Sequence, residues 1–168
     1  MIYVILIILI GIVKYKGAKT MRISSKVECG IIALIDIAVN SRGNNIVKLN
    51  AVSSRNNISA KYLEQIIPLL KHADFLKSIK GSGGGYALAR DPADITLNEI
   101  VNALDDTIFT TSEFNDQFEA KATETIAECL WTPVNDYLQQ FSQKLTLKDL
   151  ADRFIEKQTE EIEPMYYI

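Results

Sequence analysis

Apolar residues recur at helical spacing along most of this chain, broken at intervals by glycine and asparagine. From Ser25 to Val39 the residues Val27, Ile31, Leu34, Ile35 and Ala38 share one face of a helix, and the stretch Asn40 to Asn45, with Gly43, reads as its stop. A short strand is expected over Ile46 to Lys48, then a short helix over Leu49 to Asn56 resting on Leu49 and Val52. Asn57, Ile58 and Ser59 make a turn, and Ser59 supplies an N-cap for a helix over Ala60 to Ala73. In that helix Leu63, Ile66, Ile67 and Leu70 form the inward stripe, so Lys61, Glu64, Gln65 and Pro68 face outward. Two short helices joined by a tight turn are a helix-turn-helix arrangement.

The period then changes. Phe75 to Lys80 and Tyr86 to Arg90 predict two strands joined by Gly81, Ser82, Gly83, Gly84 and Gly85, a hairpin whose tip needs unusual backbone angles. A phosphate-cradling loop is excluded by context: no Gly-Lys-Ser/Thr follows, and Tyr86 opens a strand where a helix is required. Asp91 to Ile95 is a turn, and Thr96 with Glu99 forms a capping box for a helix through Leu104. Thr107 to Ala120 is polar and acidic and reads as a flexible linker. Ile126, Leu130, Val134, Tyr137, Leu138 and Phe141 then stripe one long helix from Lys121 to Gln143, with Pro133 as the point of a kink. Thr146 caps a last helix bearing Leu147, Leu150 and Phe154.

The expected fold is therefore mainly α with a small β-hairpin wing. A winged helix-turn-helix DNA-binding domain occupies 21–106, a linker 107–120, a long dimerisation helix and the last helix 121–160, and a C-terminal tail 161–168. An apolar-striped helix beyond a complete small domain finds its partner in a second copy, so a homodimer is expected. Packing of the stripe within one chain is the alternative.

Residues 1–20 stand apart. Met1 to Val13 is apolar throughout, but a bilayer span needs about 20 residues. A signal peptide would carry its positive charge before the apolar run, whereas Lys14, Lys16 and Lys19 follow it. The reading is that the native chain starts at Met21 and the leader is no part of it. No membrane association is expected unless that leader is genuine, in which case its lysines hold the domain on the cytoplasmic side.

Charge sharpens the picture. The net −3 divides into +3 over residues 1–20, +6 over 21–90 and −12 over 91–168. A basic front half suits a polyanion such as duplex DNA. Lys61 can reach phosphate or guanine, Gln65 can pair with adenine, and Glu64 can accept from the cytosine amino group. Lys77 and Lys80 sit on the wing, placed for a minor groove. No nucleophile, base and orienting group occur together, so an enzyme is not expected. Two cysteines, Cys29 and Cys129, are too few for a disulfide scaffold or a four-cysteine zinc site and suit a reducing cytoplasm. Both are expected to be buried or half-buried.

The run Met21-Arg22-Ile23-Ser24-Ser25-Lys26, the run Ile58-Ser59-Ala60-Lys61-Tyr62-Leu63-Glu64-Gln65 and the wing Ile79-Lys80-Gly81-Ser82-Gly83-Gly84-Gly85-Tyr86 resemble the Rrf2 family of bacterial transcription regulators. Trp131 and Leu145 to Leu150 fit that family's later helices, so the resemblance covers Met21 to Ile168. It implies DNA contacts from Arg22, Ser24, Lys26, Ser59, Lys61, Tyr62, Glu64, Gln65, Lys80 and Gly81, with Lys80 standing where relatives often carry arginine. Iron-sulfur members hold three cysteines ahead of the tryptophan helix. Here the interval Asp105 to Trp131 has Cys129 alone, so no cluster, metal or other cofactor is expected. The chain then resembles the branch that represses cysteine metabolism, which pairs with cysteine synthase through an aromatic-aromatic-isoleucine tail like Met165-Tyr166-Tyr167-Ile168. The rival readings are a redox sensor acting through Cys29 and an interaction adaptor that has lost DNA binding.

Overall fold

The computed structural model describes residues 23–81, 83–108 and 119–160. Helix α1 (Ser25–Asn40) runs through the centre of the head, burying Val27, Gly30, Ala33, Leu34, Asp36, Ile37 and Ala38. Helices α2 (Leu49–Asn56) and α3 (Ala60–His72) follow. Asn57, in the left-handed region at φ 53°, turns the chain between them, and the Ser53 hydroxyl donates to the Ile58 carbonyl at 2.6 Å to hold that turn. Leu63, Ile66, Ile67 and Leu70 are buried, as their spacing predicted.

Strands β1 (Leu76–Ile79) and β2 (Gly85–Leu88) pair antiparallel, Leu76 opposite Leu88 and Ile79 opposite Gly85. Both are shorter than the sequence suggested. Phe75 is spent on ending α3, its N–H donating to the Leu70 carbonyl at 3.0 Å and its ring buried in the core. The expected strand at Ile46 to Lys48 shrinks to one bridge, Val47 with Tyr86, because Lys48 already serves as the N-cap of α2.

Helix α4 (Leu97–Leu104) opens on the predicted capping box, Thr96 Oγ1 accepting from the Glu99 N–H and Glu99 from the Thr96 N–H. The expected single long helix is three pieces: α5 (Ala120–Ile126), a π-helical turn (Ala127–Trp131) and α6 (Thr132–Lys144). The Thr132 N–H donates to the Ala127 carbonyl, one residue further back than in an α-helix. Pro133 explains this, since its ring would collide with the carbonyl four residues earlier and widening the preceding turn gives it room.

Helix α7 (Leu147–Glu160) returns to the head. Leu147 and Ala151 enter the same core as Val27, Leu34 and Ile100, and a bridge between Thr96 and Thr146 stitches the base of α7 to that of α4. Sequence grouped this helix with the dimerisation arm, whereas its buried residues complete the head. No helix among the described residues is long and apolar enough to cross a membrane. Residues 109–118, most of the expected linker, and the leader at 1–20 lie outside the described residues.

Candidate nucleic-acid interface

Helix α3 is presented by its buried side. Asp36, buried in the middle of α1, accepts from Arg55 Nε at 2.8 Å, from Arg55 Nη2 at 2.5 Å and from Asn56 Nδ2 at 2.8 Å. Both donors lie on α2, so the carboxylate fixes the helix preceding the turn and thereby the start of α3. A buried charge paired and hydrogen-bonded in this way specifies geometry as much as it stabilises. Sequence reasoning missed this brace, for which an acid inside an apolar stripe was the one available sign.

With α3 fixed, Lys61, Glu64 and Gln65 are exposed on one face. Ser59 is exposed too, but its hydroxyl is committed, accepting from the Tyr62 N–H at 3.2 Å as the N-cap. Tyr62 is half-buried and leans on the core. His72 sits exposed in the last turn of α3.

The other predicted residues sit around this face. Lys80 and Gly81 are exposed at the hairpin end, Gly81 with a φ of 118° that favours glycine. Gly84 is required for a different reason, because a Cβ there would stand 2.4 Å from the Ile79 carbonyl oxygen. Lys77, expected to reach DNA from the wing, lines a recess shared with Arg42, Arg90 and Lys148. Ser24 caps α1 through its carbonyl, which accepts from Val27 and Glu28 at 3.0 and 3.1 Å, while its hydroxyl is shielded from solvent. Lys26 is half-buried near Asp105, whose carboxyl is held below its usual range by the Thr107 hydroxyl first, with Lys26 as a smaller contributor. Arg22 and the tail residues Met165, Tyr166, Tyr167 and Ile168 lie outside the described residues.

The arm carries the second feature. Ile126, Leu130, Val134, Tyr137 and Phe141 are all exposed, 41 to 59% of each, along α5, the π turn and α6. Isolated exposed apolar residues are ordinary, but a continuous stripe marks an interaction surface.

The cysteines do not assemble a site. Cys29 is half-buried on α1, and burial first and Glu28 second push its thiol up. Cys129, expected to be buried or half-buried, is exposed in the π turn, which no element among the described residues covers. Two cysteines in the whole chain fall short of the four ligands a thiolate-held cluster takes, and among the described residues no three His, Cys, Asp or Glu side chains gather as a metal site.

The sequence model of a family described as Rrf2, iron-dependent transcriptional regulator, matches residues 23–153. The transcriptional regulator IscR of Escherichia coli K12 is 31% identical over 132 residues, spanning 79% of this chain and 81% of that protein. Among solved structures, CymR, the global cysteine regulator of B. subtilis, superposes with a TM-score of 0.68 at 32% identity, covering 80% of this chain and 98% of that one. IscR of T. potens gives a TM-score of 0.65 at 29% identity, covering 90% and 100%. These relatives are transcriptional regulators and not enzymes, in line with the absence of a catalytic constellation in the sequence. The helix-turn-helix, the glycine-tipped wing and the arm thus belong together, and the chain is a member of the Rrf2 family of transcriptional regulators.

Proposed function

We propose that this protein is a homodimeric repressor that binds a pseudo-palindromic operator and controls genes of cysteine or sulfur metabolism, in the cytoplasm where the chromosome lies. One observation carries the reading: the same chain exposes a polar face on α3 beside a glycine wing, and an unbroken apolar stripe on α5 and α6. The first feature needs a duplex and the second a copy of itself. Two heads joined by two arms meet half-sites related by a two-fold axis, which is what a palindrome supplies.

Ser59, Lys61, Tyr62, Glu64 and Gln65 would face the major groove and Lys80 with Gly81 the minor groove, with Arg22, Ser24 and Lys26 near the backbone. Cysteine supply as the signal draws support from the likeness to CymR and from the aromatic-aromatic-isoleucine pattern of Met165 to Ile168, apolar residues of a kind that a partner such as cysteine synthase could anchor. Control without an iron-sulfur cluster is the reading that the inventory of two cysteines supports. The Cys29 alternative draws no support, because a raised thiol pKa is the reverse of what a reactive thiolate needs.

Affinity selection of genomic fragments by the full chain, with and without cysteine synthase, tests the proposal. A palindromic site beside sulfur-metabolism genes, bound more tightly with the enzyme present, is expected. A palindrome elsewhere, indifferent to the enzyme, would remove the proposed signal, and no enrichment would favour an adaptor that has lost DNA binding.

A further inference from the structure

Between the wing and the last helix lies a recess of about 330 Å³ whose walls carry Arg42, Lys77, Arg90 and Lys148. These cations come from four places in the chain: the turn after α1, strand β1, the segment after β2 and the first turn of α7. Three carboxylates answer them, two by direct contact and Asp149 through its weaker field on Lys148. Asp152 pairs with Arg42 at 3.3 Å and with Lys148, and Glu99 pairs with Arg90 at 2.8 Å. Lys77 has no ion pair among the described residues, and Arg90 Nε is buried without an acceptor among them. The C-terminal end of α1 adds roughly half a negative charge, so the balance remains positive.

Four cations converging on one concavity raise a positive potential that an anion would relieve. Ile79, Leu88 and Pro92 supply an apolar wall beside them, and a few placed charges on an apolar wall are how a small ligand is oriented. Duplex DNA fits this place poorly. The recess is concave, none of its lining residues belongs to α3, and a sugar-phosphate backbone is met by side chains reaching outward.

We propose that this recess binds a small metabolite bearing a phosphate or carboxylate group, held by Arg42, Lys77, Arg90 and Lys148, and that occupancy shifts operator affinity by tying the wing to the last helix. The binding step stands on the recess alone, while the effect on operator affinity rests on the proposed DNA-binding function.

Inorganic pyrophosphate, titrated into the full chain at constant ionic strength, is the probe. Calorimetry on the protein alone reads the site whether or not the chain binds DNA. Saturable binding of one ion per chain is expected. Lys77→Ala should weaken it about 10-fold, the loss of one charge-assisted contact, and Lys77→Glu should abolish it. Lys77 is exposed and makes no ion pair among the described residues, so both variants should melt like the wild type. In a second arm, pyrophosphate should change operator affinity for the wild type and not for Lys77→Glu. No saturable binding up to about 10 mM, or binding that neither variant weakens, overturns the site. A Lys77→Ala protein that loses operator affinity without pyrophosphate while still binding the ion would make Lys77 a DNA contact and overturn the proposal equally. Ion binding that Lys77 controls but that leaves operator affinity unmoved would overturn the regulatory step.

Discussion

Glu64 carries its charge on the rigid face of α3 and Lys80 at the end of a hairpin, and under the proposed function that difference decides what each would contribute to DNA binding. A carboxylate held against base edges discriminates through the cytosine amino group, whereas an ammonium in the minor groove is drawn mainly by the field of the flanking phosphates. Glu64→Ala should change which sequences are selected, by about 1–3 kcal/mol at the base pair it reads. Lys80→Ala should weaken all sequences alike and reduce the salt slope by about 1. Selected-site sequencing beside salt titrations separates the two, and equal losses on every sequence for Glu64→Ala would displace α3 from the groove. Glu99 offers a pH test. Burial pushes its carboxyl up, but the Thr96 N–H, Arg90 and the Thr96 hydroxyl outweigh burial and hold it below the ordinary range. A depressed carboxyl stabilises the fold above its unfolded value, about 4.3, and loses that contribution as pH falls through the folded value. Wild type should therefore exceed Glu99→Gln in thermal stability at pH 7, by no more than about 1 kcal/mol for so exposed a pair, with the gap closing below about pH 4. A gap that persists in acid would mean that the carboxylate's charge is irrelevant to the capping box.

The joint between α1 and α4 depends on the absence of a side chain. A Cβ on Gly30 would meet Leu104 Cδ1 at 2.3 Å, and Leu104 is itself buried at 2% exposure, so it cannot simply swing aside. Gly30→Ala improves helix propensity by about 1 kcal/mol, yet overpacking of a tight core costs about 1–3 kcal/mol. The net expectation is destabilisation by about 1 kcal/mol, read from urea midpoints. In a Leu104→Ala background the same change should become neutral or stabilising, and additivity between the two would show that the contact does not govern the joint. Elements of this kind were legible to different depths in the sequence. Lys61, Glu64 and Gln65 were readable as outward because Leu63, Ile66, Ile67 and Leu70 define the opposite face through local periodicity alone. The capping box at Thr96 was equally local. Asp36 meeting Arg55 and Asn56 was not, since it joins residues 19 and 20 apart whose approach depends on how two helices cross. The π turn was half legible: Pro133 announced an irregularity, and its form depended on whether the helix bent or widened.

For the whole molecule, the decisive question is what covers the arm. Periodicity put Ile126, Leu130, Val134, Tyr137, Leu138 and Phe141 on one face, but one chain's sequence does not say whether that face turns to its own head or to a copy. In the structure α6 touches α4 through a polar contact, Asn98 Nδ2 donating to the buried Ser142 Oγ at 3.1 Å, and Leu138 and Phe141 line a small apolar recess with Val27, Leu97 and Val101, while Ile126, Leu130, Val134 and Tyr137 stay outside. Ile126, Leu130, Val134, Tyr137 and Phe141 are each about half exposed, so covering one is worth on the order of 1 kcal/mol, and two arms burying five residues each gain on the order of 10 kcal/mol to set against the cost of association. One charge in the middle of that seam should undo it, because a carboxylate there must either lose its water or hold the arms apart. Val134→Glu should therefore shift a dimer toward monomer in sedimentation equilibrium, with the dissociation constant raised at least about 100-fold. The head should be spared, since Leu147 and Ala151 are buried in its core while Val134 is exposed, so circular dichroism and the melt of the head should remain close to wild type. Operator binding should then fall to that of separate half-sites, its dependence on protein concentration steepening as dimerisation becomes the limiting step. A Val134→Glu protein that remains a dimer would place the interface elsewhere. One that becomes a monomer yet holds a palindrome as tightly as before would separate recognition from assembly and leave the two-fold operator without its cause.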